Sequence, residues 1–160
     1  MKIKLSTPST TQWLVIANLL GLAVSIYLWH AVVSLKVLGC ISGGCDIVLA
    51  SPYAKIFGVP IAAFGVAYYF LNLTLTLMRF FDDHALIRLM NWKLSIFGIF
   101  ASGYYLYLEL FKIHAVCTWC KVSTVATIFL LVLALIEIKK AGGFKGLLKQ
   151  LATLKFDKHG

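Results

Sequence analysis

The chain has 160 residues, of which 61% are hydrophobic and only 13% are charged. A water-soluble domain carries about 25% charged residues and is about half apolar, so the composition argues against a soluble fold and favours one compact domain in a lipid bilayer. The formal net charge of +9 comes from basic residues scattered among apolar segments, which argues against a nucleic-acid-binding protein.

Four uncharged segments follow one another along the chain. The first two, residues 12–35 and 56–78, each exceed the roughly 20 residues that cross about 30 Å of hydrocarbon. The other two, residues 94–108 and 122–136, would each rise only about 22 Å as helices. We expect the charged residues beside these shorter segments to snorkel and lengthen the spans: Lys93, Glu109, Lys121 and Glu137.

The sequence therefore predicts an all-α integral membrane protein, a four-transmembrane-helix bundle with a cysteine-containing outer loop. The membrane domain would occupy residues 1–140. Its helices would cover about residues 12–35, 57–78, 92–109 and 117–138. A soluble bundle of buried helices is the alternative, but none of the four segments has a polar face wide enough for water.

The loop between the first two helices and the tail have their own patterns. In the loop, "DIVLAS" is expected to form a short helix that ends before Pro52, and Pro60 fits the first turn of the second helix. The basic tail, residues 141–160, places leucines on one stripe between lysines. This pattern is typical of an amphipathic helix on the membrane surface, and a partly ordered tail is equally compatible with it.

The distribution of Lys and Arg predicts the orientation. Four helices place both termini on one side, which then carries eleven of the 15 basic residues. Because cytoplasmic segments carry the excess of Lys and Arg, we expect cytoplasmic termini in a cell (inner) membrane. All four cysteines then face the outer side, where disulfides persist.

The cysteines form two pairs. Cys40 and Cys45 lie in a glycine-rich loop, and Cys117 and Cys120 form a Cys-x-x-Cys motif where the fourth helix is expected to begin. Thiol–disulfide exchange proceeds by thiolate attack, and a helix N-terminus stabilises a thiolate. This pattern favours two redox pairs acting in series, with no metal site. Two alternatives remain open, a structural zinc site and two structural disulfides.

The segments "CISGGCDIVLASPYAKIFGVPIAAFGVAYY" and "CTWC" occur in an order that resembles the vitamin K epoxide reductase (VKOR) family. The resemblance covers roughly residues 12–138 and is closest to prokaryotic members, here without a fused thioredoxin-like domain. It implies a four-helix bundle that holds a quinone near the Cys-x-x-Cys motif.

The resemblance also implies roles for individual residues. Cys40 and Cys45 would take electrons from a separate DsbA-like, thioredoxin-fold protein, Cys45 would exchange with Cys117, and Cys120 would face the quinone. Ser51 would hydrogen-bond a quinone oxygen. Aromatic side chains at the outer ends of the helices are candidates for the walls of the quinone site, and the predicted contacts among them are Phe57, Tyr104 and Trp119, with Tyr105 and Tyr107 as further candidates.

The predicted function is that of a membrane thiol–disulfide oxidoreductase that passes electrons to ubiquinone, menaquinone or a related quinone and so supports disulfide formation. The same thiols would also serve a quinone or epoxide reductase driven by partner thiols, because the direction depends on relative reduction potentials.

Overall fold

A computed structural model describes residues 8–34, 43–81 and 85–140, together with Gly143 and Gly146. It contains four helices that are long and apolar enough to cross a membrane, which confirms the predicted membrane bundle. These helices are α1 (Pro8–Ser34), α3 (Ile61–Phe81), α4 (Ala85–Leu108) and α5 (Thr118–Lys140), and a short helix, α2 (Cys45–Ala50), lies between α1 and α3.

Close packing between α1 and α3 depends on two glycines. The aromatic ring of Tyr69 occupies the space where a side chain at Gly21 would lie, and a Cβ atom at Gly65 would come within 2.9 Å of the Ser25 hydroxyl oxygen. Small residues at such positions let membrane helices approach closely. Tyr69 also reaches α5, where its hydroxyl lies 2.9 Å from the hydroxyl oxygen of Thr127. One glycine position thus allows a single tyrosine to join three helices.

The second spanning helix begins at Ile61, four residues later than expected. The preceding residues form an antiparallel hairpin of β1 (Lys55–Ile56) and β2 (Val59–Pro60). Its two turn residues, Phe57 and Gly58, have φ values of 50° and 81°. Positive φ at both positions matches the twist of a tight hairpin, and the turn holds Phe57 fully exposed. Pro60 therefore ends a strand and does not occupy the first turn of the helix.

The third spanning helix begins at Ala85, earlier than the uncharged segment suggested. It includes Arg88 and Lys93 within its first turns. After Leu108 it continues as a π-helical turn, Glu109–Ile113. The charged residues were therefore poor markers of where this helix begins and ends.

The expectation that both glutamates snorkel is wrong. Glu109 is only 4% exposed and Glu137 is 6% exposed, so both lie inside the bundle. Glu137 forms an ion pair with Arg79 of α3, which is also buried. A charge inside a membrane bundle is retained where it finds a partner, and this pair joins α3 to α5 at the end far from the cysteines.

Two predictions fall on residues outside the described part of the chain. Cys40 lies in residues 35–42, which the structure does not describe. The tail prediction covers residues 141–160, of which only Gly143 and Gly146 are described.

We predict that Glu137→Gln destabilises the bundle by about 3–5 kcal/mol, because it leaves the buried Arg79 charge without its counter-ion. The free energy of unfolding in detergent micelles measures the effect. Lys139→Gln is the matched control, since Lys139 is exposed two residues along the same helix, and we expect it to change stability by less than about 0.5 kcal/mol. Equal effects of the two substitutions would contradict a stabilising role for the pair.

Candidate redox site

Local backbone geometry places the Cys-x-x-Cys motif at the start of α5. The π-helical turn ends at His114, whose φ of 54° is left-handed and reverses the chain direction. Three residues later the backbone carbonyl of Cys117 accepts the first helical hydrogen bond of α5, from the N–H of Lys121 at 3.2 Å. Cys117 is therefore the N-cap of this helix, the position at which a side chain can bind otherwise unpaired backbone N–H groups.

The sulfur of Cys117 acts as that cap. It accepts a hydrogen bond from the backbone N–H of Cys120 at 3.3 Å. Hydrogen bonding from the Cys120 thiol is the main cause that lowers the pKa of Cys117, and the N–H groups of Cys120 and Trp119 contribute in the same direction. Burial and the Glu109 carboxylate oppose this shift without reversing it. The arrangement therefore favours a thiolate on Cys117, the reactive form of a thiol.

Cys45 lies in the same buried cluster as Cys117. Neither residue is exposed, and Leu28, Val48 and other apolar residues complete the cluster. Cys45 is disulfide-bonded, whereas Cys117 and Cys120 are free thiols. The structure thus brings together one member of each predicted pair.

Close contact between the loop and the motif depends on Gly44, immediately before Cys45. A Cβ atom at this position would lie 2.6 Å from the carbonyl oxygen of Val116, the residue before Cys117. The backbones that carry the two cysteines can approach only because residue 44 has no side chain.

A cavity of about 130 Å³ lies beside Cys120. Side chains of α1, α3, α4 and α5 surround it, and α2 with the residues after it closes one side. The lining residues that carry polar groups are Ser25, Ser51, Tyr53, Ser102, Tyr105, Glu109, Cys120, Lys121, Ser123 and Thr124.

Glu109 is the site residue that sequence reasoning missed. It lines the cavity together with Cys120 and Lys121, and its Oε2 atom has no hydrogen-bond partner among the described residues. The sequence did contain a signal, because an acidic residue at the end of an apolar segment lies eight positions before the Cys-x-x-Cys motif. Its place at the end of that segment predicts a position at the membrane surface, where a carboxylate would be solvated.

Of the four residues predicted to contact a quinone, the structure places one on the cavity wall and three elsewhere. Ser51 lines the cavity, and its hydroxyl donates a hydrogen bond to the Val48 carbonyl at 2.7 Å. Phe57, Tyr104 and Trp119 are not among the lining residues. Phe57 is at the hairpin tip, Tyr104 is exposed, and Trp119 packs against Tyr27 with ring centroids 5.2 Å apart.

Tyr105, the neighbour of Tyr104, is the α4 tyrosine that lines the cavity. The two rings meet edge to face with centroids 5.7 Å apart. Adjacent residues of a helix point about 100° apart, so only one of two consecutive tyrosines can face a given site.

The cavity suits a small planar ring with polar ends. An engineered apolar cavity of about 150 Å³ admits benzene, which indicates the scale. Apolar side chains such as Leu28 and Ile113 supply walls, and Ser102 and Tyr105 supply hydroxyl groups that can donate to a carbonyl oxygen. The cavity can therefore accept a small ring that carries carbonyl oxygens, with Cys120 at its edge.

We predict that the first ionisation of the Cys117–Cys120 pair occurs below the ordinary thiol pKa of about 8.5. Thiolate absorbance at 240 nm measures it, and the value belongs to the pair. Cys120→Ala removes the thiol donor and should raise the pKa of Cys117, whereas Cys120→Ser keeps a hydroxyl donor and should raise it less. A pKa that is the same in both variants would contradict stabilisation by the side chain of residue 120.

Comparison with known protein families agrees with this geometry. The model of the vitamin K epoxide reductase family matches residues 12–135, which include α3 and α4 in full, most of α1 and α5, and both cysteine pairs. Members of this family carry out redox chemistry on quinones or their epoxides in membranes. The four spanning helices, the paired cysteines and the match over most of the chain together show that this protein belongs to the vitamin K epoxide reductase family.

Proposed function

We propose that this protein is a membrane thiol–disulfide oxidoreductase that takes electrons from an extracytoplasmic thioredoxin-fold protein and passes them to a quinone. The observation that carries the proposal is the shared burial of disulfide-bonded Cys45 and free Cys117, with Cys120 on the cavity. Cys40 is the proposed disulfide partner of Cys45 and the first contact for the protein substrate.

The electron path has three exchanges. The substrate dithiol reduces the loop disulfide and leaves as a disulfide itself. Cys45 thiolate then attacks Cys117 of the Cys117–Cys120 disulfide, and Cys40 resolves the mixed disulfide, so that the loop pair is oxidised and the motif is reduced. Finally the motif returns to a disulfide as two electrons and two protons leave for the quinone, which becomes a quinol. Oxidised Cys45 beside reduced Cys117 and Cys120 is the pattern expected after the second exchange.

Glu109 is proposed as the proton acceptor for the Cys120 thiol. Oxidation of the motif requires that the thiols lose two protons, and Cys117 already favours the thiolate. Glu109 interacts with the Cys120 side chain and lies on the same cavity wall, where Lys121 supplies a positive charge. A carboxylate in this position can remove the second proton without opening the site to water.

Ser51, Ser102 and Tyr105 are proposed to hold the quinone ring. The Ser51 hydroxyl must turn from the Val48 carbonyl to donate to a quinone oxygen, whereas Tyr105 lines the cavity from the α4 side. Phe57, Tyr104 and Trp119 stay predictions as quinone contacts, and the contacts of Trp119 with Tyr27 favour a packing role for that residue.

The topology proposed from the sequence fits this path. The motif and Cys45 lie at one end of the bundle, and the Arg79–Glu137 ion pair lies at the other. With the termini in the cytoplasm of a cell membrane, the cysteines meet an outer compartment in which thioredoxin-fold oxidants work. A structural zinc site accords less well with the structure, because a disulfide-bonded Cys45 offers no thiolate to a metal.

Cysteine variants test the path through a quinone-reduction assay in nanodiscs. Cys117→Ser and Cys120→Ser should abolish reduction of ubiquinone-1 with any reductant, because they remove the pair that meets the quinone. Cys40→Ala and Cys45→Ala should abolish it with a reduced thioredoxin-fold protein but retain activity with dithiothreitol, which reaches the motif directly.

Gly103→Ala is the control for these variants, since a Cβ atom at this exposed helical position meets no atom within 4 Å. It should behave as the wild type with both reductants. Equal loss in all four cysteine variants with dithiothreitol would contradict the proposed order of the pairs.

Glu109→Gln tests the proton acceptor. We expect quinone reduction to fall about a hundredfold, the lower end of what a positioned acid–base group contributes, because glutamine keeps the size but accepts no proton. Asp46→Asn is the matched control, since Asp46 follows Cys45 but does not line the cavity. The rate measured against pH distinguishes the roles: loss of the proton acceptor should make the rate rise with hydroxide, and an unchanged profile would contradict the assignment.

A further inference from the structure

One face of α3 is polar or small at every turn through the membrane. From the cavity towards the opposite end, the residues on this face are Gly65, Tyr68, Asn72, Thr76 and Arg79. They are spaced three or four apart, so they form one stripe along the helix. The stripe rises about 21 Å, most of the thickness of the hydrocarbon core.

A matching stripe on α4 faces the first. A side chain at Gly98 would collide with the Tyr68 hydroxyl, and the Asn91 amide donates a hydrogen bond to the Thr76 hydroxyl at 3.1 Å. Ser95 lies between these two contacts and is fully buried. The two stripes meet along the α3–α4 interface, and we call the side chains of Tyr68, Asn72, Thr76, Asn91 and Ser95 the polar column.

Within the described part of the chain, several polar atoms of the column lack a hydrogen-bond partner. Asn72 is fully buried, yet neither its amide nitrogen nor its carbonyl oxygen has a hydrogen-bond partner among the described residues. The same holds for the carbonyl oxygens of Asn18 and Asn91 and for the Tyr68 hydroxyl. Asn18 belongs to the same layer, because the contacts Ser25–Gly65 and Gly21–Tyr69 set a register in which residue 18 of α1 lies opposite Asn72.

Polar side chains that only join helices would bond to one another. Asn72 forms no such bond at hydrogen-bonding distance among the described residues, although Tyr68 lies near enough to interact with both Asn72 and Ser95. Buried polar groups left open in this way are the ones that bind internal water, which needs two to four such partners. Several unsatisfied amide and hydroxyl groups within neighbouring turns offer those partners to more than one water molecule.

The two ends of the polar column lie next to different features of the bundle. One turn above Tyr68 and Gly98 lie Gly65 and Ser102, which both line the cavity beside Cys120. One turn below Thr76 lies Arg79, paired with Glu137 at the far end of the bundle. A hydrated column would therefore connect the site where the quinone is reduced to the membrane side opposite the cysteines.

We propose that the polar column holds a chain of buried waters that delivers protons from the Arg79–Glu137 end of the bundle to the cavity. This inference rests on the proposed function, which supplies the demand for protons. Oxidation of two thiols to a disulfide releases two electrons and two protons, and reduction of a quinone to a quinol consumes two of each. The thiol protons leave at the cysteine end, and the quinol protons enter through the column from the other side.

Hydration of the column can be tested without any quinone. Radiolytic hydroxyl-radical footprinting labels side chains beside bound water, and Tyr69 is an internal control for Tyr68. Tyr69 is the next residue, is buried, and has a hydroxyl satisfied by Ser123 and Thr127, whereas Tyr68 is half-buried, so the Asn72 variants decide whether bound water causes the difference. In nanodiscs Tyr68 should be labelled several times faster than Tyr69, and Asn72→Leu should abolish the difference while Asn72→Ser retains it. Equal labelling in the wild type would overturn the proposal.

Proton delivery is tested in proteoliposomes that contain ubiquinone-1 and the pH dye pyranine in the lumen. A membrane-impermeant phosphine reductant selects molecules whose cysteines face outward. The wild-type lumen should become alkaline as quinol forms, and Asn72→Leu should lose this signal. Thr74→Val is the matched control on the exposed face of α3, where the hydroxyl only bonds the Phe70 carbonyl of its own helix, and it should behave as the wild type.

Each outcome is decisive. Quinol formation by the wild type without alkalinisation of the lumen overturns the proton path and leaves the proposed function intact. Alkalinisation that persists in Asn72→Leu overturns the role of the column. Absence of quinol formation in the wild type overturns the proposed function and the proton path together, while the footprint still decides whether the column holds water.

Discussion

The hydrogen bond from the Cys120 backbone to the Cys117 sulfur is the contact on which the site depends. It makes one thiol serve both as the N-cap of α5 and as the group whose thiolate the helix N-terminus stabilises. The cap also fixes where the helix begins, and so it fixes the side chain of Cys120 one turn later on the cavity wall. Any displacement of this cap would move the sulfurs of Cys117 and Cys120 together. The left-handed His114 and the side-chain-free Gly44 act on the same geometry from the two sides, one by turning the chain and the other by admitting the loop.

The fold could be predicted largely because lipid leaves few choices. Backbone groups in hydrocarbon must be satisfied within the segment, so long apolar segments become helices whatever their details. The residues where α3 and α4 begin were harder to predict for physical reasons. Phe57 and Gly58 adopt a tight turn that a count of uncharged residues does not detect. Arg88 and Lys93 lie inside α4, although they are charged, because a long basic side chain can carry its charge away from the position of its own backbone. The buried Arg79–Glu137 pair depends on two helices far apart in sequence, and no local pattern predicts which charges will meet.

Some residues of the candidate site could likewise be predicted from the sequence, and others could not. The cysteines were recognisable because their chemistry is rare and their spacing is local. Ser51 was identified through the family resemblance, and it does line the cavity. Glu109 was missed and Tyr105 was only a further candidate, because their places on the cavity wall depend on the rotation of α4 and on its π-helical turn, which the sequence of each segment alone does not reveal. A π-helical turn changes which face of a helix the following residues present, and such turns are frequent at functional sites. Here the turn starts at the carboxylate that faces the motif.

The distribution of polar groups inside the bundle explains why both a carboxylate and an amide-lined column would be useful in one small protein. The two thiols must lose protons and the quinone must gain them, but a direct exchange between them inside the cavity would leave no reason for buried amides along the rest of α3 and α4. Glu109 lies at the cysteine end, where the proposed reaction releases protons, and Asn72 lies deeper, towards the opposite side. Separate routes for departure and uptake would prevent the carboxylate from returning its proton to the thiols after the disulfide forms. The fully buried Asn72, whose amide has no hydrogen-bond partner among the described residues, is the main support for a separate uptake route, because packing alone would favour a leucine there.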